Sequence, residues 1–261
     1  MVSAPEFLEV GEGGARRRIA FRRRVGAAPA VVWLGGFRSD MLATKATALD
    51  GAAAASGAAY LRFDYGGHGE SGGRFEDFCI STWLEDALAV ISRHAGPRPV
   101  LVGSSMGGWI ALLAAREMAK AGNPPGAMTL VAPAADFTRR LMWESMPEEA
   151  RAAVMNEGVW LRPSGYSDEP YPITRRLIED GDRHLLLDGP IDPGCPVHIL
   201  QGMQDPDVPW THARRVFEAL PAAGASITYI RDGDHRLSRP QDIALLARVV
   251  EAMRAVAAGA G

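Results

Sequence analysis

Short apolar runs and stretches of helical period alternate along this chain. The runs AVVWL (30–34), AYLRFDY (59–65), PVLVG (99–103), AMTLVAP (127–133), PVHILQG (196–202) and SITYIRD (226–232) read as strands. Between them, helical spacing appears near 44–56, 82–95, 106–121, 209–219 and 240–258. Nearly continuous apolar strands alternating with helices predict an α/β fold, a mostly parallel sheet covered on both faces. Thr82 followed three positions later by Glu85 predicts a capping box that opens the second helix. Residues 136–190 break the rhythm and show no strand pattern, so they read as a helical cap inserted between two strands of the C-terminal half. Long inserts of this kind are often functional. This one carries Met142, Trp143, Met146, Met155, Trp160, Tyr166 and Tyr171. Trp143 and Trp160 are the expected substrate-lining residues, although such side chains also serve to fasten an insert to its body.

Composition narrows the class. A chain of 261 residues with 47% hydrophobic and 23% charged positions can bury one large core, so residues 1–261 read as a single domain. The formal net charge of −3 argues against a nucleic-acid binder. The run ARRRIAFRRRV (15–25) reads as an early exposed strand whose charges discourage edge-to-edge pairing. Cys79 and Cys195 lie far apart and form no metal-ligand spacing, which favours a reducing compartment. The N-terminus lacks the charge and hydropathy pattern of a signal or transit peptide, and no apolar run approaches the roughly 20 residues that span a bilayer. A cytoplasmic protein without a membrane span is expected.

In open α/β sheets, ligands gather at the carboxyl ends of the strands. The loop after 103 reads GSSMGG and offers two hydroxyls. A nucleophilic serine on a sharp strand-to-helix turn needs small residues two before and two after it. Ser105 is flanked in this way by Gly103 and Gly107, whereas Ser104 has Val102 and Met106. Ser105 is therefore the candidate nucleophile. The Met106 N–H offers one oxyanion donor, and Phe37, in the LGGF loop after the first apolar run, offers the second. Of six histidines, His94, His184, His198 and His212 read as structural. His235 follows the last strand and is the expected base, with His68 in YGGHGES as the alternative. Asp205 and Asp207 both follow the strand at 196–202, and sequence physics alone does not separate them as the acid that orients the imidazole.

Together, GxSxG, the spaced set Gly202, Asp205, Val208 and Pro209, and the late Asp234-His235 pair resemble the α/β-hydrolase superfamily. The longer strings RFDYGGHGES, VGSSMGGW, GVWLRPSGYS, CPVHILQGMQDPDVPW and DHRLSRPQDIALL are similar to a narrower group. These are the small serine hydrolases of the α/β-hydrolase domain-containing protein 10 type, acyl-thioesterases and acyl-glucuronide esterases. In that pattern the acid falls on Asp205. The resemblance implies a serine hydrolase that cleaves esters or thioesters of apolar acyl groups through an acyl-serine intermediate. It needs no cofactor or metal, and it acts on a small-molecule ester or thioester or on an acylated protein. Unlike that type, this N-terminus carries no transit-peptide pattern. The same triad would also serve a peptidase or a carbon–carbon bond hydrolase, and the fold alone would serve a non-catalytic binder.

Overall fold

Alternation along the strands decides which helices each face of the sheet receives. The structure, a computed structural model, describes residues 4–163 and 170–259. Its first half runs β1 (Glu6–Val10), β2 (Arg17–Arg24), β3 (Ala27–Leu34), α1 (Thr44–Ser56), β4 (Ala58–Phe63), α2 (Ile80–His94), β5 (Val100–Ser104) and α3 (Met106–Lys120). The second half runs β6 (Ala127–Val131), α4 (Glu148–Glu157), β7 (Val159–Arg162), β8 (Tyr171–Thr174), α5 (Arg175–Gly181), β9 (Val197–Gly202), α6 (Trp210–Ala219), β10 (Ala225–Ile230) and α7 (Pro240–Gly259). Eight strands form one sheet in the order β1-β2-β4-β3-β5-β6-β9-β10. It is antiparallel between β1, β2 and β4 and parallel from β4 onwards. Val31 and Trp33 of β3 pack with Leu49 of α1 and Val250 of α7. Val32 and Leu34 point the other way, into the core shared with Trp83 of α2, Leu112 of α3 and Val216 of α6. The period of two along each strand thus separates the two helical layers.

Three expectations are corrected. The arginine-rich segment is not an exposed edge: β2 lies between β1 and β4. Its Arg17 is buried against α2, with Nε 2.7 Å from Asp86 and Nη2 2.8 Å from Glu85. Arg22 is also buried and pairs with Glu70, while Arg24 and Arg62 share Asp50 on α1. Arg17, Arg24 and Arg62 tie their strands to the covering helices, a role that a count of charges does not reveal.

The second helix starts earlier than its capping signal implied. Cys79 is the N-cap, and Thr82 is the third helical residue, its hydroxyl accepting the Cys79 N–H at 2.9 Å. Glu85 is spent on Arg17.

The insert between β6 and β9 is not purely helical. It contains the two-stranded antiparallel pair β7–β8, with Trp160 opposite Ile173. Each strand is only four residues long, so the period-2 signal was too brief to read. A π-helical turn, Thr138–Trp143, begins the insert. The buried Asp136 carboxylate holds the insert's base closed by accepting the Leu186 and Leu187 N–H groups at 2.8 and 2.9 Å. Asp180 on α5 accepts both the N–H and the hydroxyl of Ser81, each at 2.7 Å, and so fastens α5 to the first turn of α2. Tyr166 lies outside the described residues. Among the described residues, no helix is long and apolar enough to cross a membrane.

Candidate active site

The turn after β5 has the backbone the motif demands. Ser105 sits at φ 55°, ψ −120°, a region that L-residues rarely adopt, and α3 begins immediately after it. A Cβ at position 103 would lie 2.3 Å from the Gly107 carbonyl oxygen, and one at 107 would lie 2.1 Å from that of Leu34. Both flanking positions are therefore restricted to glycine by contact with backbone that cannot step aside. Ser104, by contrast, is the last residue of β5 and is buried.

Backbone hydrogen bonds connect this turn to the far side of the sheet. The Ser105 N–H donates to Val131 O (2.9 Å), the Ala132 N–H to Leu200 O (2.9 Å), and the Met203 N–H to Ile230 O (2.8 Å). The loops after β5, β6, β9 and β10 thus stand side by side at one end of the sheet. In the β9 loop, Asp205 Oδ1 accepts the Asp207 and Val208 N–H groups at 2.9 and 2.8 Å. Its Oδ2 lies 2.8 Å from His235 Nδ1. The structure therefore places the imidazole on Asp205 and leaves Asp207 exposed. His235 is tied through Nδ1, and its Nε2 has no partner among the described residues, Ser105 included.

The β3 loop packs over the serine from the other side. A Cβ on Gly36 would lie 3.4 Å from Ser105 Cβ. Neither the Phe37 N–H nor the Met106 N–H meets an acceptor among the described residues, so both remain available to an anionic oxygen. The Phe37 ring lies edge-on to Phe75, Trp83, Phe137 and Tyr171, with centroids 5.0–6.0 Å apart. Phe137 and Tyr171 belong to the insert, so the insert roofs the loop that carries the Phe37 N–H. Trp143 and Trp160 are half-buried and pack against the main core, and Arg139 lies over the Trp143 ring at 5.7 Å.

The other histidines have other work. His212 is buried and bonds the Ala135 carbonyl at 2.8 Å. His198 bonds Thr228 and Ser226 on β10, and His184 bonds Ser81 at 2.7 Å. The His94 ring stacks on Phe21. His68 engages both ring nitrogens, one with Gly66 and one with Arg38.

Two neighbours of the site escaped sequence reasoning. Gln201, fully buried at the end of β9, donates to Val208 O at 3.0 Å and braces the Asp205 loop. Its signal was a polar residue inside an apolar run. Lys45 of α1 donates to the Arg236 carbonyl beside His235. Burial lowers its ammonium to about 8 despite the Asp234 carboxylate nearby. These two residues are 191 positions apart, and nothing local marked the pair.

Asp205, Asp207 and His235 also bring one ligand atom each within 4.8 Å of one another. As a metal set it is poor, because Nδ1 is spent on Asp205 and the other Asp205 oxygen on two amides.

Comparison with known proteins identifies the family. The model of the alpha/beta hydrolase family matches residues 14–246. The chain belongs to the alpha/beta hydrolase family. This hydrolase is 34% identical over 236 residues to the human protein named palmitoyl-protein thioesterase ABHD10, mitochondrial, covering 89% of this chain and 75% of that one. A solved structure of a hydrolase from Agrobacterium vitis S4 superimposes with TM-score 0.92 at 48% identity, over 96% of this chain and 98% of that one. Mouse alpha/beta hydrolase domain-containing protein 10 superimposes with TM-score 0.85 at 30% identity, over the same shares of each chain.

Proposed function

We propose that this hydrolase cleaves carboxylic thioesters and esters through an acyl-enzyme on Ser105, with His235 as general base and acid and Asp205 as the group that orients the imidazole and stabilises the imidazolium it becomes. Ser105 Oγ attacks the acyl carbonyl carbon while His235 Nε2 takes its proton. The oxyanion accepts from the Phe37 and Met106 N–H groups. As the tetrahedral intermediate collapses, the imidazolium returns the proton to the departing thiolate or alkoxide. Water, deprotonated by the same nitrogen, then releases the acid. The Oγ···Nε2 hydrogen bond forms when substrate closes the site, since such bonds are often long in free enzymes.

The observation that carries this reading is the 2.8 Å Asp205–His235 bond at the same end of the sheet as a serine held at positive φ. It is supported by the names of the curated relatives, which are palmitoyl-protein thioesterases. The mitochondrial location in those names belongs to those proteins, and the cytoplasmic expectation for this chain rests on its own sequence. Trp143 and Trp160 are proposed to border the acyl chain, with the insert acting as a cap on a single domain.

The test is labelling by a fluorophosphonate, together with turnover of a panel of aryl esters, acyl thioesters, an acyl glucuronide and peptides. Ser105→Ala loses labelling and about 10⁶ in kcat, whereas Ser104→Ala keeps both. An active Ser105→Ala enzyme, or turnover confined to peptides, rejects the proposal.

A further inference from the structure

His68 takes no part in the proposed proton relay, yet it is 4% exposed and both of its ring nitrogens are engaged. Nδ1 faces the Gly66 carbonyl at 3.2 Å. Nε2 faces the Arg38 N–H, also at 3.2 Å. A carbonyl only accepts and an amide only donates, so these partners assign the tautomer: Nδ1 carries the proton and Nε2 offers its lone pair. Burial lowers the ring to about 4, which keeps that lone pair free near neutral pH.

What Nε2 holds is an unfavourable piece of backbone. The Ser39 N–H closes a turn onto the Gly36 carbonyl at 3.1 Å. Arg38 occupies the third position of that turn at φ 58°, where glycine or asparagine is usual. A residue in this region costs of order 1 kcal/mol or more and persists only when its surroundings impose it. The adjoining residue is Phe37, and a Cβ on Gly36, which opens the turn, would lie 3.4 Å from Ser105 Cβ. The anchor itself is rigid. Gly66 donates its N–H to Asp86 (2.9 Å) and accepts from Trp83 Nε1 (3.0 Å). The imidazole lies edge-on to Phe75 and Trp83 at 5.2 and 5.3 Å, and the same two rings flank the Phe37 side chain.

We propose that His68 is a positioning residue: by accepting the Arg38 N–H it holds the Gly36–Ser39 turn, and with it the direction of the Phe37 N–H over Ser105. This rests on the reading of Phe37 as an oxyanion donor. Losing one such donor costs 10²–10³ in kcat and small misplacements cost up to about 10², so loss of the His68 bond is expected to cost about 10- to 100-fold.

The experiment compares His68→Gln, His68→Asn and His68→Leu in hydrolysis of an aryl ester, with Ser105→Ala alongside. Glutamine places an acceptor oxygen near the Nε2 position, whereas asparagine reaches only towards Gly66 and leucine towards neither. The Asn and Leu variants lose about 10- to 100-fold in kcat with KM within about two-fold, while Gln stays within about five-fold of wild type. Affinity for a trifluoromethyl ketone, whose serine adduct places an oxyanion in the hole, falls in the same order as kcat. Should the Leu variant fail to fold, the Gln and Asn pair decides alone. Equal kcat in that pair, a loss confined to KM, or a folded Leu variant at wild-type kcat overturns the role of His68. Activity retained by Ser105→Ala instead brings down the Ser105 reading, and this proposal with it.

Discussion

The Asp205 carboxylate divides its two oxygens between separate tasks: Oδ2 meets His235 Nδ1 at 2.8 Å, and Oδ1 accepts the Asp207 and Val208 N–H groups. Asp205→Asn keeps the loop's shape but favours the wrong imidazole tautomer, so kcat is expected to fall by roughly 10⁴. Asp207→Asn is expected to stay within about ten-fold, since its side chain is exposed and the ring's Nδ1 is held by Asp205. Steady-state kinetics on both variants checks the assignment. A larger loss at Asp207 reverses it.

Gly107 approaches Leu34 O so closely that a Cβ would stand 2.1 Å from it, and 2.5 Å from Gly35 O. Gly107→Ala must push the β3 loop off the serine turn, at a cost of about 1–3 kcal/mol in stability. Activity falls further than stability explains, because that loop carries Phe37. At Gly108 a Cβ meets Pro133 at 3.1 Å, and Gly108→Ala serves as the milder control. Urea unfolding with kcat measured on the same samples tests this, and a Gly107→Ala enzyme indistinguishable from wild type refutes it.

Arg17 and Asp86 form an ion pair whose side chains are 5% and 0% exposed. Arg17→Met strands the Asp86 carboxylate in the core, and a loss of about 3–5 kcal/mol is expected from chemical denaturation. Adding Asp86→Asn removes the stranded charge and restores at least half of that. No recovery in the double variant would show that the cost lies in packing instead.

Burial lowers the His68 imidazole from 6.5 to about 4, overriding the Gly66 bond that favours the charged ring. The unfolded chain therefore binds this proton more readily than the folded one. Stability from this group is complete above pH 6.5 and is lost as pH falls towards 4. Between pH 7 and pH 4, wild type should lose roughly 3 kcal/mol relative to His68→Gln. Asp64 and Asp86, raised to about 6 by burial, act in the opposite sense. Both proteins share them, so the difference isolates His68. Parallel pH dependences in the two proteins would contradict the shift.

Trp160 on β7 and Trp143 at the start of the insert are half-buried beside the main core. If they border the acyl chain, kcat/KM rises over the first several added carbons, by up to about 0.8 kcal/mol per CH₂, and then levels off. Trp160→Ala flattens the rise and spares acetyl esters. A chain-length profile that is flat or falls beyond acetate removes both residues from the substrate path.

What the sequence determined by itself acts over a few residues. Short continuous apolar runs placed the central strands, and the helical period placed α1 and α3 to within a residue or so of their observed ends. The glycine pattern around Ser105 needed no tertiary knowledge, because the strain belongs to the turn. The short β7–β8 pair stayed hidden because its strands are too brief to show a period, and the N-cap was misplaced because Thr82 serves equally well at the third helical position. Everything that depends on packing across the chain needed the folded structure. From the residues alone Asp205 and Asp207 were equivalent carboxylates, until the imidazole 30 positions away came to rest on one of them. The arginines of β2 looked like a solvated edge until α2 supplied Asp86 and Glu85. His68 read only as an alternative base until its ring met the Arg38 amide. Sequence spacing records which turns a chain can make, whereas which polar groups face one another is settled only when the core closes and each buried donor must find an acceptor.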